Sequence, residues 1–326
     1  MKQFKVYITR DSEQMSDVAS DIMIGKIAGF VPNEKKPYLS FILPTGNTPT
    51  GTYKRMIEKQ GNLDLSGVVS HNLDEYVGLP GGNVTERVMH PEGYGFFMTH
   101  QLFGNLKKPF HRWHVPRGCE IDQGKLEEEL AKYEGNDYYF EGGSGEENGR
   151  AIIIPENSKS DYLKWIKNEI LDFYVKSIRK YGKVDLALVG VGGEGHIAFH
   201  ESLIPLNLEM LLVELSKNTV DNAVEDGHFD SVENSPKYAV SLGAGFVFNP
   251  EYNSEVLLIA NGERKRGPVG GALLEDVNCE VPISGCQEFA KSGKVIWVVD
   301  YEAGKDVLDN KKIVEDKGIE VCDLRC

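Results

Sequence analysis

The chain has 326 residues, 40% of them apolar and 26% charged, a composition that excludes disordered, collagen-like and disulfide-scaffold classes. Thirty-six Lys and Arg against 50 Asp and Glu leave a formal charge of −14. That balance argues against nucleic-acid and anionic-membrane partners, which require a dominant positive field.

Residues 1–8 alternate as a strand and lack the longer apolar run of a signal peptide. Asp11 to Phe30 follows as a helix, with Met15, Val18, Ile22 and Ile27 marking one face. Further strands are predicted at 38–43, 68–72, 184–191, 256–260 and 295–299, and Pro49 suits the first turn of the helix after the second of these. Apolar strands separated by helical segments predict a single α/β domain over residues 1–326: a doubly wound, mostly parallel sheet with helices on both faces. One stretch departs from the pattern. Between residues 120 and 158 there are eleven acids and three bases, a net −8 that leaves −6 for the rest of the chain. This acidic segment, about 119–158, reads as a solvated insertion anchored by Tyr133, Tyr138, Tyr139 and Phe140. The five cysteines (Cys119, Cys279, Cys286, Cys322 and Cys326) show no metal-binding spacing and read as reduced thiols of a cytoplasmic protein. No apolar run approaches bilayer length, so membrane insertion is not expected.

Three loops carry the chemistry. The first, Leu43-Pro44-Thr45-Gly46-Asn47-Thr48-Pro49-Thr50, lies between a strand and a helix, where backbone N–H groups at the helix start can receive a phosphate. A tight structural turn fits it equally well, and this loop carries neither GxxxxGK[ST] nor GxGxxG. In the second, His71-Asn72-Leu73-Asp74-Glu75-Tyr76-Val77-Gly78-Leu79-Pro80, two carboxylates follow a strand; neighbours on extended chain face opposite ways, so Asp74 suits a base while Glu75 pairs elsewhere. The third, Gly190-Val191-Gly192-Gly193-Glu194-Gly195-His196-Ile197-Ala198-Phe199-His200-Glu201, places acids around an imidazole among glycines that let backbone approach a ligand. The spacing of His196, His200 and Glu201 would suit zinc on a helix, but HExxH order and a third ligand are missing, and no metal is expected.

Together these loops resemble those of the glucosamine-6-phosphate deaminase family, within a group that also contains the 6-phosphogluconolactonases. The resemblance runs from residue 38 to about 299, and Asn72-Leu73-Asp74-Glu75-Tyr76-Val77-Gly78-Leu79-Pro80 is close to a signature of the deaminases. It implies a Rossmann-like fold of the sugar-phosphate isomerase type and a reaction without cofactor on a phosphorylated amino sugar. In that reaction the ring opens, aldose becomes ketose, and ammonia is lost to give fructose 6-phosphate. Asp74 would move a proton between C2 and C1. His196 would assist ring opening, oriented by Glu194 and Glu201, and Thr45, Gly46, Asn47, Thr48 and Lys265 would hold the phosphate.

The chain also departs from that family. Glu194 stands where an aspartate is usual, and Asn47 where a glycine is. The lid-like stretch at 202–236 has no arginine at residues 218–228, where the family usually places one on the phosphate. Arg264, Arg266 and His228 are the available substitutes. No basic residues occur at 208–215, so activation by an N-acetylated sugar phosphate is not expected. Two other readings stay open on sequence alone: a lactonase-like sugar-phosphate hydrolase and a non-catalytic sugar-phosphate sensor. Oligomeric state, homo-oligomer included, is left open as well.

Overall fold

The computed structural model describes residues 3–61, 63–135, 137–143 and 147–325; Met1, Lys2, Cys326 and part of the Gly-rich run at 142–147 lie outside the described residues. Thirteen strands occur among them: β1 (Phe4–Thr9), β2 (Leu39–Leu43), β3 (Val68–Asn72), β4 (Asp74–Val77), β5 (Arg112–His114), β6 (Tyr139–Gly142), β7 (Arg150–Ile153), β8 (Leu186–Gly190), β9 (Met210–Glu214), β10 (Tyr238–Leu242), β11 (Glu255–Ala260), β12 (Lys294–Asp300) and β13 (Glu320–Asp323). Eight form one sheet in the order β13-β1-β12-β11-β8-β2-β3-β5, with every pairing parallel.

Its central strands are apolar on both sides because both faces are covered. Phe41, Leu43, Leu188, Leu257, Ile259 and Val298 pack in the core under the helices Ser12–Gly29 and Asn47–Lys59. Their alternating neighbours Ile42, Val189, Leu258 and Trp297 pack on the opposite face, with Tyr174, Val269, Ala303 and Val307 from other helices. The expected doubly wound sheet is therefore present. The first helix starts where Asp11 accepts a hydrogen bond from the Gln14 N–H at 2.9 Å. Its buried stripe is Met15, Ala19, Met23 and Ile27, in steps of four. Val18 and Ile22 lie only half-buried beside it.

The sequence pattern gave no sign of a second sheet, β4-β10-β9-β7-β6, antiparallel throughout. It too is apolar on both faces: Val77, Leu212, Val240 and Ile152 point one way, and Tyr76, Leu211, Val213 and Ala239 the other. The acidic stretch contributes β6, β7 and the helix Gln123–Lys132, whose Leu126 and Leu130 enter this core with Tyr138, while Tyr139 and Phe140 stay exposed. Among the described residues no helix is long and apolar enough to cross a membrane, and Cys119, Cys279, Cys286 and Cys322 are free thiols.

Candidate active site

The strands β11, β8, β2 and β3 are neighbours and parallel, so the loops at their C-terminal ends emerge side by side. The chain reverses its winding direction between β2 and β8, and such a point leaves a crevice in open α/β sheets. Here the crevice is a cavity of about 590 Å³, lined by Thr45, Gly46, Asn47, Thr48, Asp74, His196 and Lys265. Glu194 and Glu201 are not among its lining residues.

At one end the cavity is positive. Gly46 carries the chain from β2 into the helix Asn47–Lys59 at φ 101°, a conformation that favours glycine, and among the described residues no side chain caps the helix start. Its first-turn N–H groups therefore face the cavity with the positive end of the helix dipole behind them. Lys265 lies opposite on the turn Glu263–Lys265 and has no ion-pair partner among the described residues. Burial, and then the adjacent Arg264 charge, lower its pKa. The other basic side chains nearby are engaged. Arg266 donates to Asp306 at 2.8 Å, His228 pairs with Glu92 at 2.7 Å, and Arg264 donates to Asn222 at 3.0 Å with Asp226 at 3.5 Å.

Asp74 sits where the two sheets meet, because only Leu73 separates β3 from β4. The Leu73 N–H donates to Leu43 in the parallel sheet at 3.1 Å, and its carbonyl accepts from Leu242 in the antiparallel one at 2.7 Å. Asp74 is 5% exposed, and its Oδ1 has no hydrogen-bond partner among the described residues. Burial, reinforced by the charge of Glu75, holds its pKa well above the carboxylate range. Glu75 points away. It accepts from the Tyr94 N–H at 3.0 Å and the Gly95 N–H at 3.2 Å, at the start of the helix Tyr94–Gln101. Burial raises its pKa to about 7 against the opposing pull of these N–H groups. One carboxylate faces the cavity and the other builds its wall.

The third loop closes on itself, with the Gly192 N–H donating to the His196 carbonyl at 2.9 Å. A Cβ on Gly192 would overlap Cδ2 and Nε2 of His196, so bare backbone lies against the imidazole. Burial, then the charge of Lys265, lowers the His196 pKa to about 4, and its buried Nδ1 has no partner among the described residues. Ala198 adopts φ 51°, in the left-handed region that alanine disfavours by about 1 kcal/mol, and it too lines the cavity.

The expected pairing of Glu194 and Glu201 with the imidazole is not what the structure holds. Glu194 is exposed and accepts from Asn218 at 2.7 Å, because its side chain reaches outward to the helix Lys217–Glu225. Glu201 is buried and accepts from the Ser216 N–H at 3.1 and 3.2 Å, anchoring the start of that same helix. His200 is also structural: its Nδ1 accepts from the Ala244 N–H at 3.1 Å, leaving Nε2 to donate to the Ile204 carbonyl at 3.1 Å. The stretch from His196 to His200 is not helical, and among the described residues no three His, Cys, Asp or Glu side chains gather as metal ligands. Glu201→Ala is expected to lower the unfolding free energy by about 1–3 kcal/mol, since it strands a buried N–H, and Glu201→Gln by less. Urea denaturation of the two variants measures this.

Sequence reasoning missed an aromatic wall beside Asp74. The Tyr76 ring lies 5.1 Å from Tyr94 and 5.0 Å from Phe199, and Tyr94 and Phe199 stack at 6.0 Å. All three line the cavity. Tyr76 and Phe199 occur within the motif loops, whereas Tyr94 reaches the site only through the hydrogen bonds of its helix to Glu75.

No family model matches the chain. It is 30% identical over 292 residues to the glucosamine-6-phosphate deaminase of Treponema denticola, an overlap of 88% of this chain and 87% of that protein. The solved structure of a monomeric glucosamine-6-phosphate deaminase superimposes with a TM-score of 0.67 at 23% identity, covering 93% of this chain and 99% of that one. A 6-phosphogluconolactonase from Leishmania guyanensis superimposes with 0.56 at 19% identity, covering 93% and 98%. At these identities the two structures establish a shared fold and nothing finer.

Proposed function

We propose, because this chain belongs to the glucosamine-6-phosphate deaminase family, that it converts glucosamine 6-phosphate, or a close hexosamine phosphate, and water to fructose 6-phosphate and ammonia. One observation carries the assignment to this cavity: Asp74, a carboxylate without a partner among the described residues, and Lys265 with the bare helix start, a cation without an ion pair among them, line one enclosure.

The phosphate lies against the N–H groups and hydroxyls of Thr45, Gly46, Asn47 and Thr48, with Lys265 supplying charge. His196, neutral at pH 7, carries one proton and one lone pair. It therefore accepts the proton of the anomeric hydroxyl and supplies one to the ring oxygen as the C1–O bond breaks. Asp74 then removes the C2 proton and returns it to C1; the C1 carbonyl oxygen takes a proton and becomes a hydroxyl, the C2 ammonium gives one up, and a carbon–nitrogen double bond forms at C2. Water adds to this imine, and ammonia leaves. Asp74 must be ionised to act, and the substrate ammonium beside it favours the carboxylate over the acid.

The assay is ammonia release with fructose 6-phosphate formation from glucosamine 6-phosphate. Absence of both products with glucosamine, galactosamine and mannosamine 6-phosphates would rule the reaction out. The pH profile has a defined shape. Asp74 has a raised pKa in the free enzyme, so kcat/KM falls on the acid side at a pH above the ordinary carboxylate range of about 4. The corresponding limb in kcat lies at lower pH, because bound ammonium restores the carboxylate. His196 adds no limb above about pH 4. A kcat/KM limb at or below pH 4 would show that some other group is the base.

A further inference from the structure

Among the described residues the cavity lining supplies one side-chain cation without an ion-pair partner, Lys265, whereas a sugar phosphate brings nearly two negative charges and three acceptor oxygens. The remaining basic groups near it differ in how firmly they are held. Arg266 binds Asp306 through Nε at 2.8 Å and lies outside the cavity lining. His228 lines the cavity, but its Nδ1 lies 2.7 Å from Glu92. Arg264 also lines the cavity, one residue before Lys265 on the same turn. Its contacts are a neutral amide, Asn222 at 3.0 Å, and the Asp226 carboxylate at 3.5 Å, and its side chain is 64% exposed. An exposed pair of this kind contributes little, so giving it up costs little.

We propose that Arg264 is the second cation for the substrate phosphate, and that Asn222 and Asp226 on the lid segment hold it until the anion arrives. The guanidinium offers a planar fork that matches two phosphate oxygens, which an ammonium cannot do. Arg264 and Lys265 then grip the anion from adjacent positions, and the mutual repulsion that lowers the Lys265 pKa is offset by the charge between them. The exchange also frees the helix Lys217–Glu225 from the turn Glu263–Lys265, so phosphate arrival and lid release are one event. That the anion is a sugar phosphate rests on the reaction proposed above; that it is a phosphate held by Arg264 is tested without turnover.

The test titrates the full chain with inorganic phosphate by calorimetry, and then measures KM and kcat for glucosamine 6-phosphate. Arg264→Gln is expected to weaken phosphate binding about 10- to 100-fold, with Arg264→Lys intermediate. Asp226→Asn removes the competing anion and tightens binding several-fold, whereas Arg266→Gln leaves it unchanged. In turnover, the Arg264→Gln loss falls on KM, with kcat within about threefold. Unchanged phosphate affinity in Arg264→Gln, or no measurable phosphate binding by wild type, overturns the proposal. So does weakening in Asp226→Asn equal to that in Arg264→Gln, which would make the pair a structural strut. Phosphate binding that depends on Arg264 in a protein that releases no ammonia leaves this assignment standing and removes the reaction. The converse result removes Arg264 and keeps the reaction.

Discussion

Replacing Asp74 with asparagine is expected to lower kcat by about 10²- to 10⁴-fold, the range for losing a positioned general base. The side chains have nearly the same shape, so the cavity and its positive pole persist, and inorganic phosphate should bind as it does to wild type. Stability should not fall. A buried carboxylate whose Oδ1 lacks a partner, with its pKa pushed upward, is less stable ionised than a neutral amide in the same place. At neutral pH the variant should therefore melt at or above the wild-type temperature while turning over almost nothing. Thermal unfolding and ammonia release measured on one preparation separate the outcomes. Retention of more than a tenth of wild-type kcat would remove Asp74 from the role of base.

Gly192→Ala is expected to cost about 10²-fold in kcat, though no functional group is deleted. The backbone at Gly192 does not occupy the left-handed region, so alanine is tolerated locally, but its methyl would occupy the position of Cδ2 and Nε2 of His196. The ring must swing away, and a displacement of about 1 Å at a reacting group is enough for a loss of that size. Unlike Asp74→Asn, the defect should concentrate on ring opening. In the forward direction, an open-chain analogue of the substrate that needs no ring opening should suffer less than the cyclic aldose. Equal loss on both would place the damage elsewhere in the loop.

How much of this was legible follows from the range of each interaction. The parallel sheet could be read because β2, β8 and β11 are continuous apolar runs, as burial on both faces demands. The opposite orientations of Asp74 and Glu75 were legible too, since alternation along extended chain is a local property. The second sheet was not. Its strands are four or five residues long, and β6, Tyr139–Gly142, is largely exposed, so they are strands only by virtue of partners far away in sequence. The pairing of Glu194 and Glu201 with His196 failed as an expectation for the same reason. Asn218 and the Ser216 N–H, both from the segment after β9, claim the two carboxylates, and proximity in sequence to an imidazole gives no account of such competitors.

The Leu73 junction bears on motion. Its N–H is bonded to one sheet and its carbonyl to the other, so a local opening that displaced Asp74 would have to break both sheets together. Openings of that kind approach the free energy of unfolding the whole protein, whereas the later part of the helix Lys217–Glu225 is joined to the turn Glu263–Lys265 through exposed side chains. Thermal fluctuation is thereby divided between two parts of one enclosure. The Asp74 carboxylate belongs to the slowest-opening part of the molecule, and the freer edge of the enclosure is the Asn222 side of that helix, whose start stays anchored on Glu201 through Ser216.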